Sequence, residues 1–316
     1  MRIMIQAQEV GASTEEMLRR ARRIAPQAEV LLFEDASDPR LAGADAVFGG
    51  VRPHDLPGLA RLRWLQLGSA GADGYTDRSL YCRPDAVLTN ASGTYGAPIA
   101  EHLLAMMLSL LRQLPLLRDR QRAHRWDRQV SMAEFGGKTV GILGLGDIGY
   151  ETALRAHALG ARVIAVKRTA AEPPDCVAAL YDFSGVDQVI RESDLVCLCL
   201  PHTPATHHIL DERRLAMMKP GAMVFNIGRG GLIDQDALID ALRQGRLAGA
   251  GLDVTDPEPL PADSPLWEME QVLITPHVSG VSPANDARKM SIFLDNLARF
   301  AASEPLTNQV DFAQGY

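Results

Sequence analysis

The hexapeptide Gly144-Leu145-Gly146-Asp147-Ile148-Gly149 constrains this chain most, because it stands directly after the apolar run Thr139 to Leu143 and before the helix-like stretch Tyr150 to Leu159. Alone, a G-x-G-x-x-G string is weak evidence. Between a strand and a helix each glycine has its own part to play. Gly144 permits the tight turn, Gly146 lets the backbone approach a pyrophosphate, and Gly149 lets helix and strand pack closely. The helix start then offers unpaired N–H groups and a positive dipole end to phosphates, with Asp147 and Ile148 among the expected cofactor-binding residues.

The rest of the chain alternates short apolar runs with longer polar or amphipathic stretches, as parallel strands joined by helical crossovers do. One series is Ile3 to Ala7, Val30 to Phe33, Ala46 to Phe48, Leu62 to Leu67 and Val87 to Thr89. A second runs from Thr139 to Leu145, Arg162 to Val166, Leu195 to Leu200, Met223 to Ile227, Gly249 to Val254 and Val272 to Thr275. With 316 residues to place, more than one typical domain holds, two doubly wound parallel-sheet α/β domains are predicted. Between the series a helix is expected from near Pro98 toward Trp126, broken or kinked at Pro115, and a last helix from about Ser282 to Ala302.

Charge excludes some partners. With 32 basic and 39 acidic residues the formal charge is -7, which argues against a general nucleic-acid binder and for a small-molecule ligand. The arginines at 19, 20, 22 and 23 read as the solvated face of an amphipathic helix. The four cysteines lack metal-ligand spacing, so no metal is expected, and Cys197 and Cys199 read as small core residues. The segment Leu103 to Leu111 falls short of the ~18 apolar residues a membrane span needs, and the N-terminus lacks a signal-peptide core. A cytoplasmic protein is expected.

About twenty residues past the glycine loop, where an acid would hold the ribose hydroxyls of NAD, the chain reads Val166-Lys167-Arg168-Thr169. A basic pair suits a 2′-phosphate, so NADP(H) is favoured, with NAD(H) the alternative should these two be merely a solvated loop.

Three strand ends of the second series present Arg229, Glu258 and His277. Each is predicted at the carboxyl edge, where open α/β sheets bind ligands. A 2-oxo acid calls for a planar cationic fork on its carboxylate and carbonyl, which Arg229 supplies, and for a proton donor, which His277 supplies; Glu258 would orient the imidazole. Singly, each has a bland reading as a salt-bridge, turn or satisfied residue. Together, downstream of a dinucleotide loop, they predict an oxidoreductase.

The motifs GLGDIG at 144 to 149, LPHTPAT at 200 to 206, NIGRGGLID at 226 to 234, GLDVTDPEP at 251 to 259 and TPHVSG at 275 to 280 resemble the D-isomer-specific 2-hydroxyacid dehydrogenases over nearly the whole chain. That family includes glyoxylate/hydroxypyruvate reductases and D-lactate and phosphoglycerate dehydrogenases. The resemblance implies a flavodoxin-like substrate domain, residues 1–96 with 284–316, and a Rossmann dinucleotide-binding domain, residues 97–283. It implies that Arg229 binds substrate, that His277 is the acid/base with Glu258 as partner, and that Ser69, Ala70 and Gly71, after Gly68, offer backbone N–H groups to the substrate carboxylate. Asp253 would lie near the nicotinamide, and Leu200, Pro201, Thr203, Ile227, Gly228 and Gly280 would line the cofactor. The helical segment from Pro98 to Trp126 resembles the family's dimerisation element, so a homodimer is expected. A dinucleotide-sensing corepressor-like scaffold and a formate- or phosphite-type dehydrogenase are the rival functions the resemblance leaves.

Overall fold

The computed structural model describes residues 1–10, 14–169 and 172–315. The chain divides into two compact units, Met1–Tyr95 with Ser282–Tyr316, and Gly96–Val281.

The first unit holds a five-stranded, all-parallel sheet: β1 (Arg2–Gln6), β2 (Glu29–Phe33), β3 (Ala46–Phe48), β4 (Trp64–Gln66) and β5 (Val87–Thr89), in the order β2-β1-β3-β4-β5. Strands covered on both faces read as unbroken apolar runs, and alternate residues point to opposite sides. Met4, Val47, Leu65 and Leu88 therefore enter one core, while Ile3, Ile5, Phe48 and Trp64 enter the other. The helices Thr14–Ile24 and Asn285–Ala302 cover the second face. Phe293 stacks on Phe48 at 4.7 Å and on Trp64 at 5.3 Å, which fastens the end of the chain to the N-terminal sheet.

The second unit is a seven-stranded parallel sheet: β6 (Thr139–Leu143), β7 (Arg162–Val166), β8 (Ala179–Tyr181), β9 (Leu195–Leu198), β10 (Met223–Asn226), β11 (Gly249–Leu252) and β12 (Val272–Ile274). Its order, β12-β11-β10-β9-β6-β7-β8, reverses direction between β6 and β9. Loops after these two strands diverge and leave a crevice, the usual ligand position of such sheets. One face is filled by Leu143, Val196, Leu198 and Val224 against Val189 and Ile190 of the helix Val186–Glu192 and Leu238 and Leu242 of the helix Gln235–Arg243.

Several boundaries differ from the sequence expectation. β8 is an addition to it: three residues, all half-buried, at the sheet edge, too short to show a pattern. Runs that read as longer strands stop early, β9 at Leu198 and β11 at Leu252, because the chain there leaves the ladder for the loops that build the site. The central helix spans Gly96–Leu111 and breaks at Arg112 and Gln113, where Gln113 is left-handed (φ 54°). Pro115 lies in the first turn of the next helix, Leu114–Arg122, where its missing N–H breaks no bond. That helix ends before Trp126, and the last helix begins at Asn285, not Ser282.

Candidate active site

Three loops at the carboxyl ends of β10, β11 and β12 form one hydrogen-bonded cluster in the second unit. After β10, the Asn226 side chain accepts from the Gly228 N–H at 3.0 Å and donates to the Arg229 carbonyl at 2.8 Å, folding the chain back within three residues. The Arg229 guanidinium donates to the Gly228 carbonyl at 2.7 Å. Gly230 lies so close to the next loop that a Cβ there would stand 2.0 Å from the Thr255 carbonyl oxygen. The Arg229 loop is therefore pressed against the loop that carries Glu258.

Glu258 is held by both oxygens. Oε1 accepts from the Thr255 N–H at 3.2 Å, and Oε2 lies 2.9 Å from His277 Nδ1. A carboxylate on Nδ1 fixes the tautomer and ring plane, and leaves Nε2, which meets no partner among the described residues, to exchange a proton with a ligand. The imidazole is half exposed, as a group that must reach a substrate needs to be.

The backbone under His277 is set by Asp253, 2 % exposed. Its carbonyl accepts the His277 N–H at 2.8 Å, and its carboxylate accepts Val278 and Ser279 N–H groups at 3.0 Å each and the Thr275 hydroxyl at 2.6 Å. Burial alone would raise this carboxyl, but the bonds from Ser279, Thr275 and Val278 outweigh it and hold the pKa below the ordinary aspartate value. His102 Nε2 sits 3.0 Å from the Thr275 hydroxyl, so this histidine is satisfied in the interior. Sequence reasoning misses Asn226 and Thr275. An Asn that ends a strand two residues before Gly is an Asx-turn signal that points to the first, whereas Thr275, although it opens the motif TPHVSG, carries no local mark of its bond to Asp253.

The glycine loop fits a pyrophosphate. Gly144 is left-handed (φ 104°) with the Cys199 carbonyl 2.5 Å from where a Cβ would be, and a Cβ on Gly149 would stand 2.1 Å from the Gly144 carbonyl. Around Gly146 nothing lies within 4 Å, so its missing side chain opens space that no protein atom fills. The helix Asp147–Ala158 starts there, with the Asp147 carboxylate against Gly96, and the N–H groups of its first turn have no partner within the helix. Across the reversal point, Gly228 packs on the Leu200 carbonyl, and Ile227 is buried beside it. Thr206 ties the following turn by accepting from the Thr203 N–H at 2.8 Å and donating to the Pro201 carbonyl at 2.7 Å. Gly280 closes the half-buried turn after Ser279. At the end of β7, Lys167 is half-buried and donates its N–H to the Tyr181 carbonyl at 2.9 Å, while Arg168 is exposed. His202 pairs with His207 at 3.0 Å.

Residues 68–71 follow β4 in the first unit. Asn90 donates to the Ala70 carbonyl at 2.8 Å, Ala91 N–H to the Ser69 carbonyl at 2.8 Å, and the Tyr95 hydroxyl to the Gly68 carbonyl. The Ser69 hydroxyl turns inward to the Gly71 carbonyl at 2.7 Å. With the carbonyls so engaged, the N–H groups of Ser69, Ala70 and Gly71 meet no protein acceptor among the described residues. Cys197 is buried and Cys199 partly so, whereas Cys82 is exposed; burial pushes the Cys199 thiol up to about 12 and raises that of Cys197 well above its ordinary value. Among the described residues no three His, Cys, Asp or Glu side chains gather to hold a metal, and no helix is long and apolar enough to cross a membrane.

Residues 104–279 match the family described as D-isomer specific 2-hydroxyacid dehydrogenase, NAD binding domain. The chain is similar to glyoxylate/hydroxypyruvate reductase B of Pectobacterium carotovorum subsp. carotovorum, with 34% identity over 292 residues, 90% of each chain. Among solved structures it is similar to a D-isomer specific 2-hydroxyacid dehydrogenase family protein from Aeromonas salmonicida, with TM-score 0.86, 34% identity, and 98% of this chain and 99% of that one covered. It is also similar to an NADPH-dependent glyoxylate/hydroxypyruvate reductase from Sinorhizobium meliloti in complex with NADP and sulfate, with TM-score 0.83, 28% identity, and 100% and 99% covered.

Proposed function

The chain belongs to the D-isomer specific 2-hydroxyacid dehydrogenase family, and from that premise we propose that it reduces glyoxylate, hydroxypyruvate or a related small 2-oxo acid to the D-2-hydroxy acid, with NADP(H) preferred. It is an NAD(P)-dependent oxidoreductase with two parallel-sheet α/β domains. The observation that carries the catalytic reading is the His277–Glu258 pair at 2.9 Å, in a loop anchored on Asp253 and beside the loop of Arg229.

With its pyrophosphate held on the glycine loop, a bound dinucleotide would supply a hydride for the 2-carbon from its nicotinamide end. Glu258 holds Nδ1, and Nε2 of His277, protonated, gives its proton to the carbonyl oxygen. Arg229 forks onto carboxylate and carbonyl and stabilises charge building on that oxygen. The N–H groups of Ser69, Ala70 and Gly71 take the substrate carboxylate, which makes residues 1–96 with 284–316 the substrate domain and 97–283 the dinucleotide domain. The N–H groups of Gly146, Asp147 and Ile148 hold the pyrophosphate, and Lys167 and Arg168 the 2′-phosphate. Leu200, Pro201, Thr203, Ile227, Gly228, Asp253 and Gly280 line the cofactor.

A homodimer is supported by the helix Leu114–Arg122, which buries none of its residues, and by Trp126, 91% exposed beyond it. Four free cysteines suit the reducing cytoplasm.

The test is oxidation of NADPH and of NADH with glyoxylate, hydroxypyruvate, pyruvate and phenylpyruvate. Turnover of at least one with NADPH is expected. Cofactor binding without turnover of any 2-oxo acid points instead to a dinucleotide-sensing scaffold.

A further inference from the structure

A charged pair that none of these roles uses is packed against the loop 68–71. Glu9 stands in the short helix Ala7–Val10 after β1, and Lys289 in the helix Asn285–Ala302; their side chains are 21% and 11% exposed. Lys289 Nζ donates to Glu9 Oε2 at 2.8 Å and lies 3.4 Å from Asp286 Oδ1. The Glu9 carboxylate presses on two glycines. A Cβ on Gly68 would lie 2.1 Å from Oε2, and one on Gly49 2.3 Å from Cγ. On the loop's own side Tyr95 donates to the Gly68 carbonyl, and both Lys289 and Glu9 act electrostatically on that phenol.

Withdrawing two charges from water is expensive, and apolar residues of similar volume usually serve stability as well. A bare carboxylate would be worse here, since its field reaches a loop whose N–H groups are open to an anion. Lys289, which also faces Asp286, offsets the Glu9 field, and Glu9 occupies the space that the missing side chains of Gly49 and Gly68 leave. We propose that Glu9 and Lys289 form a compensated pair that positions Gly68 and sets the affinity of the loop for the substrate carboxylate, Lys289 being the member that keeps the loop receptive to an anion. This rests on the reading of residues 69–71 as the carboxylate site.

The sign of two single variants separates this role from a structural one. Lys289→Met leaves Glu9 uncompensated and raises the KM of an anionic 2-oxo acid by the order of tenfold, with kcat within about twofold. Glu9→Gln leaves the ammonium and lowers KM or leaves it alone, and the double variant returns KM to within about threefold of the parent. Lys289→Gln repeats the first arm should Lys289→Met fail to fold. If both single variants raise KM, or neither moves it, the proposal is overturned. Ala70→Pro, which deletes one loop donor, tests the premise. A raised KM in that variant with the wrong signs in the pair sinks only the pair, whereas an unmoved KM removes the carboxylate site and the proposal with it.

Discussion

The Asp253 carbonyl accepts the N–H of His277 at 2.8 Å, and the Asp253 carboxylate takes the N–H groups of the two residues after it at 3.0 Å each. These bonds brace His277 in a left-handed conformation (φ 53°), which non-glycine residues seldom adopt. Asp253→Asn keeps the shape but replaces a charged acceptor, and should cost about 1–3 kcal/mol of stability. Because the folded-state pKa of Asp253 lies below its unfolded value, its contribution is full above about pH 4 and lost as pH falls through the folded value. Thermal melts from pH 7 to pH 3 should show the gap between parent and variant closing below pH 4. A gap independent of pH removes the charge from the explanation.

His277→Ala should lower kcat by about 10² to 10⁴ and leave cofactor binding nearly unchanged, since it removes a proton donor and no phosphate contact. Glu258→Gln should fall between that variant and the parent, because an amide oxygen still accepts from Nδ1 but brings no charge to the imidazolium. Steady-state kinetics with a titration of cofactor binding checks both. Near-parent turnover of His277→Ala moves the acid elsewhere.

Arg229→Lys keeps the charge and loses the fork, so kcat/KM should drop by at least about tenfold while thermal stability stays close to that of the parent. A loss under about twofold, below ~0.5 kcal/mol of transition-state binding, places the substrate carboxylate on another group.

Two glycines of one motif should respond differently. Gly149→Ala drives a Cβ into the Gly144 carbonyl and should cost about 1–3 kcal/mol in folding. Gly146→Ala meets no protein atom, so the melting temperature should hold while the KM for the cofactor rises. Should Gly146→Ala bind cofactor as the parent does, the pyrophosphate does not approach there.

The glycine loop, the two sheets and the strand ends bearing Arg229, Glu258 and His277 are legible in the sequence because each leaves a local mark: a motif, an apolar run, a polar residue just past it. β8 leaves none, being three half-buried edge residues whose pairing is fixed by Val166 and its neighbours. Thr275 and His102 meet across 173 positions, and Glu9 and Lys289 across 280. Such contacts depend on how helices pack on sheets, which periodicity does not encode.

Cofactor choice turns on the end of β7. Lys167 is tied by its N–H to the Tyr181 carbonyl on the edge strand, which sets the direction in which Lys167 and Arg168 leave the sheet. An acid at 167 would accept the ribose hydroxyls and repel a 2′-phosphate, whereas ammonium and guanidinium attract it, the latter with paired donors. Charge-assisted bonds at a site partly open to water should give ~1–3 kcal/mol, roughly ten- to hundredfold in favour of NADPH. Lys167→Asp with Arg168→Ala should reverse or abolish that preference and leave the KM of the 2-oxo acid in place. Rising salt should erode it in the parent, since exposed charges are screened within about 8–10 Å at physiological ionic strength. The measurement is kcat/KM for both cofactors with one 2-oxo acid, at two ionic strengths, in parent and double variant. A parent that favours NADH, or a ratio indifferent to both changes, makes Lys167 and Arg168 a solvated loop and leaves the ribose to be held by other groups.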